Sequence, residues 1–516
     1  MAAKPAASTP PPKAVDVLII GAGLSGIGAA CHLRRECPNK TFAIIERREA
    51  IGGTWDLFRY PGIRSDSDMY TFGYNFKPWT EPRVLADGPS IKRYVTETAR
   101  EYAVDQHIRF GRRVVRADWS SAKKHWAIDV LNEATGQHEH YTAAFVIGAT
   151  GYYNYDAGYR PPFPGESKFK GTLVHPQHWP ETLDYSGKRV VVIGSGATAI
   201  TLVPSMTDKA EHVTMLQRSP TYILSVPAID PVAARLQRLL PDKIAYRLNR
   251  SRNIGIQRFL YVASRQHPKL VRRLILGVIR KQVGDKVDMR HFTPSYNPWD
   301  QRLCVVPNGD LFKALRKGKA SIATDVIDSF TADGIKLRSG ETIKADIVVT
   351  ATGLEVQMLG GVALHVDGQP VVPKNHLTYK GVLLQDVPNA AMVIGYTNAS
   401  WTLRADLTSE YVCRLLNYMD KKGYRTVVPR DHDDSGSEET VMGGLASGYI
   451  QRAADRLPRQ GKRAPWQVVQ NYLRDIPQMR HRPIDDGVLE FDGQPSRKRV
   501  DAVARFIAPL RTALSR

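Results

Sequence analysis

The residues Val15–Ile20 form a short, β-branched apolar run broken by Asp16, and it leads straight into the glycines of GAGLSG, Gly21 to Gly26. From Ile27 to Arg35 the apolar positions fit a helix, and Thr41 to Ile45 returns to strand character before Glu46. The same order recurs further along. Arg189–Ile193 is a second apolar run, GSGATA follows at Gly194–Ala199, a helical pattern continues through Met206, and Val213–Leu216 is the next strand. Each stretch reads as a buried strand, a glycine-bearing turn, a helix and a parallel strand. Phe145–Ile147 and Asp346–Thr350 are short apolar runs that also end in glycine-bearing turns, and they read as strands returning to close each sheet. Between about Pro227 and Arg290 apolar residues recur at helical spacing among many arginines, which predicts a helical insertion.

These elements predict an α/β fold with two Rossmann-like dinucleotide-binding domains and a helical insertion in the second. The expected organisation is a disordered arm over 1–14, a first domain over 15–155, and the start of the second over 156–226. The insertion covers 227–295, the second domain closes over 296–353, and 354–516 returns to the first domain and the C-terminal region. In the first turn, Gly21 permits the tight bend, Gly23 lets the backbone approach a pyrophosphate, and Gly26 lets helix and strand pack closely. The helix N-terminus adds free N–H groups and a positive dipole end for phosphate. Glu46 stands 20 residues after Gly26, where an acid accepts hydrogen bonds from ribose hydroxyls. An acid there favours FAD or NAD over NADP. In the second unit Gly194, Gly196, Ala197 and Thr198 form the turn, and the next strand ends in Gln217-Arg218-Ser219 without an acid. Arg218 stands where Glu46 stands in the first unit, and an arginine there accommodates a 2′-phosphate. The economical assignment is FAD first and NADPH second.

Composition narrows the class. A chain of 516 residues with 42% hydrophobic and 24% charged residues is of ordinary globular make-up. Its four cysteines, Cys31, Cys37, Cys304 and Cys413, form no C-x-x-C, which argues against a zinc ribbon, a disulfide scaffold and a dithiol reductase. The Ala- and Pro-rich start has no apolar signal core, and no segment reads as a membrane span, so a cytoplasmic location is the default expectation. The net charge of +21 invites a nucleic-acid partner, yet no zinc-finger, RRM or helix-turn-helix pattern supports one. Residues 231–290 carry 15 Lys or Arg against 3 Asp or Glu, and residues 451–516 carry 14 against 7. The surplus is therefore local. Such basic, apolar-interleaved helices suit weak peripheral contact with anionic lipid on the inner face of a membrane. The simpler expectation is that their apolar stripe packs inward and their cations lie in water.

Two longer motifs carry the chemistry. Phe169 to Pro180 reads F-x-G-x-x-x-H-x-x-x-W-P, and Gly52 to Asp66 reads G-G-x-W-x-x-x-x-Y-P-G-x-x-x-D. In this order relative to the two glycine turns they resemble the signatures of type I Baeyer–Villiger monooxygenases, and the resemblance runs from about Val15 into the C-terminal region. Trp179 and Pro180 favour this branch over related flavin-containing monooxygenases that act on sulfur or nitrogen, the alternative reading. The resemblance implies an FAD-, NADPH- and O2-dependent enzyme. It would insert one oxygen atom into ketones to give esters or lactones through a flavin C4a-peroxide, with oxidation of thioethers or thioamides as a further activity. It assigns Arg302 as the fixed cation beside the reacting oxygen and Asp66 as the acid that holds it. Asp68 is the competing acid, and a helix cap is a common use of either. His175 is implied as a fingerprint residue of the linker that serves domain motion, while His178 is a plain loop residue. Gly53, Thr54 and Trp55 belong to the flavin side, and Trp401 either walls the pocket or packs in the core. One departure stands out. Many members carry Lys before the catalytic Arg, where this chain has Gln301, so Arg218 and Ser219 must supply more of the preference for NADPH.

Overall fold

The computed structural model describes residues 13–301, 303–443 and 447–492. The first sheet is centred on Lys13–Ile20, which runs parallel to Phe42–Ile45 on one side and to His138–Gly148 on the other. Val17, Leu18 and Ile19 are wholly buried. That explains the uninterrupted apolar run, since a parallel strand covered on both faces has no polar side. Most of the predicted arm, 1–12, lies outside the described residues, but Lys13 and Ala14 already run as strand against Tyr141 and Thr142. Lys13 is held there by its ammonium, which pairs with Glu139 and donates to Tyr141 Oη. The helices Leu24–Glu36 and Trp401–Lys422 pack against each other over the sheet. An antiparallel meander, Arg112–Ser120 with His125–Asn132, extends it and sets Trp119 opposite Trp126. A short strand, Ala390–Met392, runs parallel to His138–Gly148.

The second sheet is parallel throughout, in the order Ala320–Thr324, His212–Gln217, Arg189–Ile193, Ile347–Thr350, Thr172–Val174. The chain leaves the first sheet through Tyr153–Gly158 and comes back through Leu354–Val356. These two segments pair antiparallel, so a double link joins the two sheets.

The insertion is helical, as expected, over Pro231–Leu239, Asp242–Gln266 and Pro268–Val283. Asp230 caps the first helix through the N–H groups of Val232 and Ala233, and a proline opens the first and third, where its missing N–H costs no hydrogen bond. Although the chain places it within the second unit, the long helix docks on the first. Arg250 Nη1 donates to the carbonyls of Tyr70 at 2.8 Å and Gly73 at 2.7 Å, and Asn253 Nδ2 donates to Asp68 at 2.8 Å. This polar docking face overturns the expectation that the apolar stripe packs inward. Ala245, Tyr246, Asn249, Arg250 and Asn253 are buried, while Ile244, Leu248, Ile256 and Phe259 face out. In the third helix Ile275, Ile279 and Val283 do pack inward, and Leu270, Leu274 and Val278 do not.

Candidate active site

The two glycine turns face one cleft of about 250 Å³, which adjoins a hollow of about 90 Å³ behind the first turn. Gly23, Gly53, Ala149, Tyr153 and Tyr155 line both. Through these shared walls the cleft and the hollow make one path along the first turn.

At the first turn the backbone is drawn tight. Gly21 has φ +105°, and a Cβ on it would meet Ala149 O at 2.7 Å. A Cβ on Gly26 would meet Gly21 O at 1.8 Å, which makes glycine obligatory there. Gly23 bridges to Gly52, and Gly53 takes φ +56°, so two glycine backbones face each other across the path. Glu46 is the first residue after the strand Phe42–Ile45 and is 5% exposed. Its carboxylate accepts from Ala22 N at 2.6 Å and Arg48 N at 2.8 Å. Burial nevertheless raises its pKa, because removal from water outweighs these bonds. Spare lone pairs remain on the two oxygens for hydroxyl donors in the smaller hollow.

Aromatic rings wall the cleft. Thr54, opening a short helix over Thr54–Leu57, shares a 2.7 Å hydrogen bond with Tyr153 Oη. Tyr153 stacks on Tyr155, and burial pushes the Tyr155 phenol up to about 12 and that of Tyr153 well above its usual value. Trp55 stands edge-on to Phe72. Trp401 lines the cleft, stacks on Tyr152 and donates from Nε1 to Ser25 Oγ at 2.8 Å, which decides between pocket wall and core in favour of the wall. Burial keeps these phenols neutral, and the rings give the cleft an aromatic wall.

Asp66 lines the cleft, whereas Asp68 caps the short helix Met69–Phe72 by accepting from Thr71 N at 3.0 Å. The two acids thus divide as the motif spacing implies. Arg302 lies outside the described residues. Its neighbour Gln301 bridges to Pro298, and Asp300 caps Asn297 N and pairs with Arg265 at 2.7 Å.

At the second turn Gly194 has φ +135°, and a Cβ on it would meet Ala351 O at 2.4 Å. Gly196 instead faces open space, and Gly196 and Ala197 are exposed. Ala197 and Thr198 line the main cleft. Burial pushes the Tyr60 phenol, hydrogen-bonded to Thr198, up to about 12. Gln217 points inward and donates to His291 O and Thr324 Oγ1, so the next residue, Arg218, points out and is exposed. Ser219 is exposed beside it, and its carbonyl accepts from Ser195 Oγ at 3.1 Å.

His175 lies in the link rather than on the cleft. Its ring rests against Gly158, where a Cβ would come within 1.9 Å of Cε1, and burial lowers its pKa, so it is neutral at ordinary pH. Its Nδ1 accepts from Gln177 N at 3.2 Å. His178, at the surface, donates from Nε2 to Asp156 O at 3.0 Å.

Sequence reading does not single out Arg64, Tyr153 or Tyr155. The two tyrosines carry one signal, a spacing of two on a strand, which puts both rings on one face. Arg64 carries none. Its Nη1 pairs with Asp310 at 2.6 Å, while Nε and Nη2 are buried in the cleft wall without a protein partner. Unmet donors of this kind need a bound polar group. With the crowded first turn, the inward acid and the open second turn, they fit two dinucleotides better than one compact ligand. Among the described residues no cluster suits a metal ion, and the four cysteines are buried and form no disulfide.

Comparison with known proteins agrees with this geometry. The family model for pyridine nucleotide-disulphide oxidoreductases matches residues 18–229. The chain is 57% identical over 498 residues to the probable FAD-binding monooxygenase AlmA of Acinetobacter baylyi, covering 96% of this chain and 99% of that one. It is 52% identical over 484 residues to the FAD-containing monooxygenase EthA of Mycobacterium tuberculosis, covering 93% and 98%. Among solved structures, an oxidized steroid monooxygenase bound to NADP superposes with a TM-score of 0.73 at 20% identity, covering 93% of this chain and 99% of that one. Cyclohexanone monooxygenase from Rhodococcus sp. Phi1 bound to NADP+ superposes with a TM-score of 0.72 at 21% identity, over 93% and 99%.

Proposed function

The chain belongs to the type I Baeyer–Villiger family of FAD-containing monooxygenases, and from that premise we propose that it inserts one oxygen atom from O2 into ketones, giving esters or lactones, with thioethers and thioamides as secondary substrates. One observation carries the reading: both glycine turns contribute to the same aromatic-walled cleft, so two dinucleotides would meet there. FAD bound in it, reduced by NADPH, supplies the activation of O2.

The chain's own residues set the conditions. Gly23 and Gly53 let the FAD pyrophosphate approach the backbone, and Glu46 accepts from its ribose. Trp55, Tyr153 and Trp401 keep water from the reacting end, where a dry site protects a reactive oxygen species from discharge. Arg218 and Ser219 receive the 2′-phosphate of NADPH. By motif position Arg302 is the fixed cation, suited to the task because a guanidinium stays charged at any working pH. Asp66, on the cleft wall, is by the same motif the acid that would hold it. His175 is a positioning residue in the double link.

The test is product analysis. The holoenzyme is given NADPH, O2 and, in parallel, a methyl ketone and a methyl thioether, and products are identified by mass spectrometry. Ester from the ketone supports the proposal. Sulfoxide with no ester at any ketone tried would make the enzyme an S-oxygenase. Replacing Arg302 by Ala should leave flavin reduction by NADPH intact and abolish ester formation.

A further inference from the structure

We propose that the outward face of the helical insertion is a docking surface for an anionic lipid bilayer. Its amino acids are segregated in a way that ordinary surfaces are not. Of the thirteen exposed large hydrophobic side chains among the described residues, eleven lie between Ile229 and Val278. They recur with the helical period: Ile244 and Leu248, then Ile256 and Leu260, on the long helix, and Leu270, Leu274 and Val278 on the next. Phe259 is 70% exposed and Leu239 66%. Isolated apolar residues on a surface need no explanation, but a run on one face of consecutive helices marks a contact. Nor is this the face that holds the insertion in place. That face is the polar one of Asn249, Arg250 and Asn253.

The charge of the patch selects its occupant. Arg235, Arg238, Lys243, Arg247, Lys269 and Arg273 are exposed, and none forms an ion pair with a described residue. Lys269, Arg272, Arg273 and Arg280 ring a shallow hollow on the third helix. Cations flanking an aliphatic stripe match the two layers of a bilayer surface, anionic headgroups above acyl chains. A second copy of the chain would bring like charge against like charge, which disfavours self-association through this face. Nucleic acid would meet the cations and leave the aliphatic stripe in water. Among the described residues no helix is long and apolar enough to cross a membrane, so the contact lies in the plane of the interface. The stems of the long basic side chains reach along the apolar surface while their heads stay with the phosphates.

The experiment is co-sedimentation of the holoenzyme with vesicles of equal parts phosphatidylglycerol and phosphatidylcholine, against vesicles of phosphatidylcholine alone. Wild type should pellet with the first and not the second. The triple variant Lys269→Gln, Arg273→Gln, Arg280→Gln should partition on the order of a hundredfold more weakly. The double variant Phe259→Ser, Leu274→Ser should lose about tenfold or more, and should also lose the binding that persists when salt is raised. All of these residues are exposed, so flavin content and NADPH oxidation with a small water-soluble ketone should stay at wild-type values, which separates this surface from the catalytic reading. No sedimentation with anionic vesicles overturns the proposal, as does equal binding by both variants. A dimer in solution that the double variant converts to monomer would make the face a self-interface instead. Duplex DNA bound equally by wild type and the double variant, with no vesicle binding, would make it a nucleic-acid surface.

Discussion

The two glycine turns are built alike and placed differently. Each begins with a glycine at positive φ, and a Cβ there would strike a carbonyl of the neighbouring strand end, Ala149 for Gly21 and Ala351 for Gly194. In each unit the informative residue is the first after the second strand, Glu46 or Arg218. The first turn is then closed over. Gly53 faces Gly23, Trp401 is tied to Ser25, and Glu46 is 5% exposed. The second is left open, with Gly196, Ala197, Arg218 and Ser219 all exposed. Burial thus separates two motifs that the same chemistry produces. An enclosed turn with an inward acid suits a nucleotide that stays, and an exposed turn with an outward cation suits one that comes and goes. We read the FAD site as resident and the NADPH site as exchanging.

The largest expected effect lies in the glycines themselves. Gly26→Ala places a Cβ at 1.8 Å from Gly21 O with only backbone to yield, and it should destabilise the first unit by upwards of about 4 kcal/mol and release the flavin. Gly196→Ala meets nothing within 4 Å, so this variant should fold, keep its flavin and show only a raised KM for NADPH. Thermal unfolding and the flavin-to-protein ratio read both. A Gly26→Ala protein with wild-type flavin and melting temperature would break the distinction between a crowded and an open turn.

The next effect tests the interior of the first unit through pH. His32 is buried between Glu36, at 2.7 Å, and Asp406, at 3.4 Å, and Asp406 also takes Arg250 Nη2 at 3.3 Å and Asn75 N at 2.8 Å. Burial alone would lower the imidazole pKa, but the hydrogen bonds and charges of the two acids overcome it and raise it from 6.5 to about 9. A folded value above the unfolded one means that the contribution is complete below pH 6.5 and is lost as pH rises through about 9. The stability so lost is on the order of 3 kcal/mol. Denaturant unfolding from pH 6 to pH 10 should show the decline, and His32→Asn should flatten it. A wild-type profile that is level across this range would remove His32 as a charged strut of the FAD side.

Much of this plan was legible from residue order. β-Branched runs ending in glycines place strands and turns because both follow from local sterics, and Glu46 and Arg218 are found by counting from those turns. The spacing of the second signature prefers Asp66, and the structure puts Asp66 on the cleft and Asp68 on a helix cap. What stayed hidden depends on partners distant in sequence. Arg64 is held by Asp310, His32 by Asp406, and Tyr153 acquires its environment from Thr54. No local pattern encodes such pairs. The insertion shows a second kind of limit. Periodicity detects that one helix face is apolar, but a stripe has the same period whether it faces core or solvent. Arg250, which satisfies carbonyls of Tyr70 and Gly73, decided the side.

A smaller effect sharpens the nucleotide assignment. Arg218 is exposed and makes no hydrogen bond or ion pair with the described residues, so its removal should leave the protein fold untouched. Arg218→Ala should raise the KM for NADPH about tenfold to a hundredfold, the worth of one charge-assisted contact, and change the KM for NADH little. Steady-state NADPH and NADH oxidation at fixed ketone measures both. Equal changes for the two nucleotides would take the 2′-phosphate away from Arg218.

The smallest effect shows that the second unit is fastened at its surface. Asp346 opens the strand that pairs with Arg189–Ile193, and it accepts from Arg189 N at 2.8 Å and from Arg189 Nη2 at 2.8 Å. These bonds hold its carboxyl at about 2, below its ordinary 3.8. A depressed folded value contributes stability above pH 3.8 that is lost as pH falls through about 2, the reverse of the His32 case. The pair is solvent-screened, so Asp346→Asn should lower the melting temperature by only on the order of 2 °C at neutral pH. The difference should vanish as the pH approaches 2, where wild type carries the same neutral group. Calorimetry of both proteins across the acid range measures that convergence. A larger loss at neutral pH that persists in acid would show that Asp346 acts through packing rather than charge.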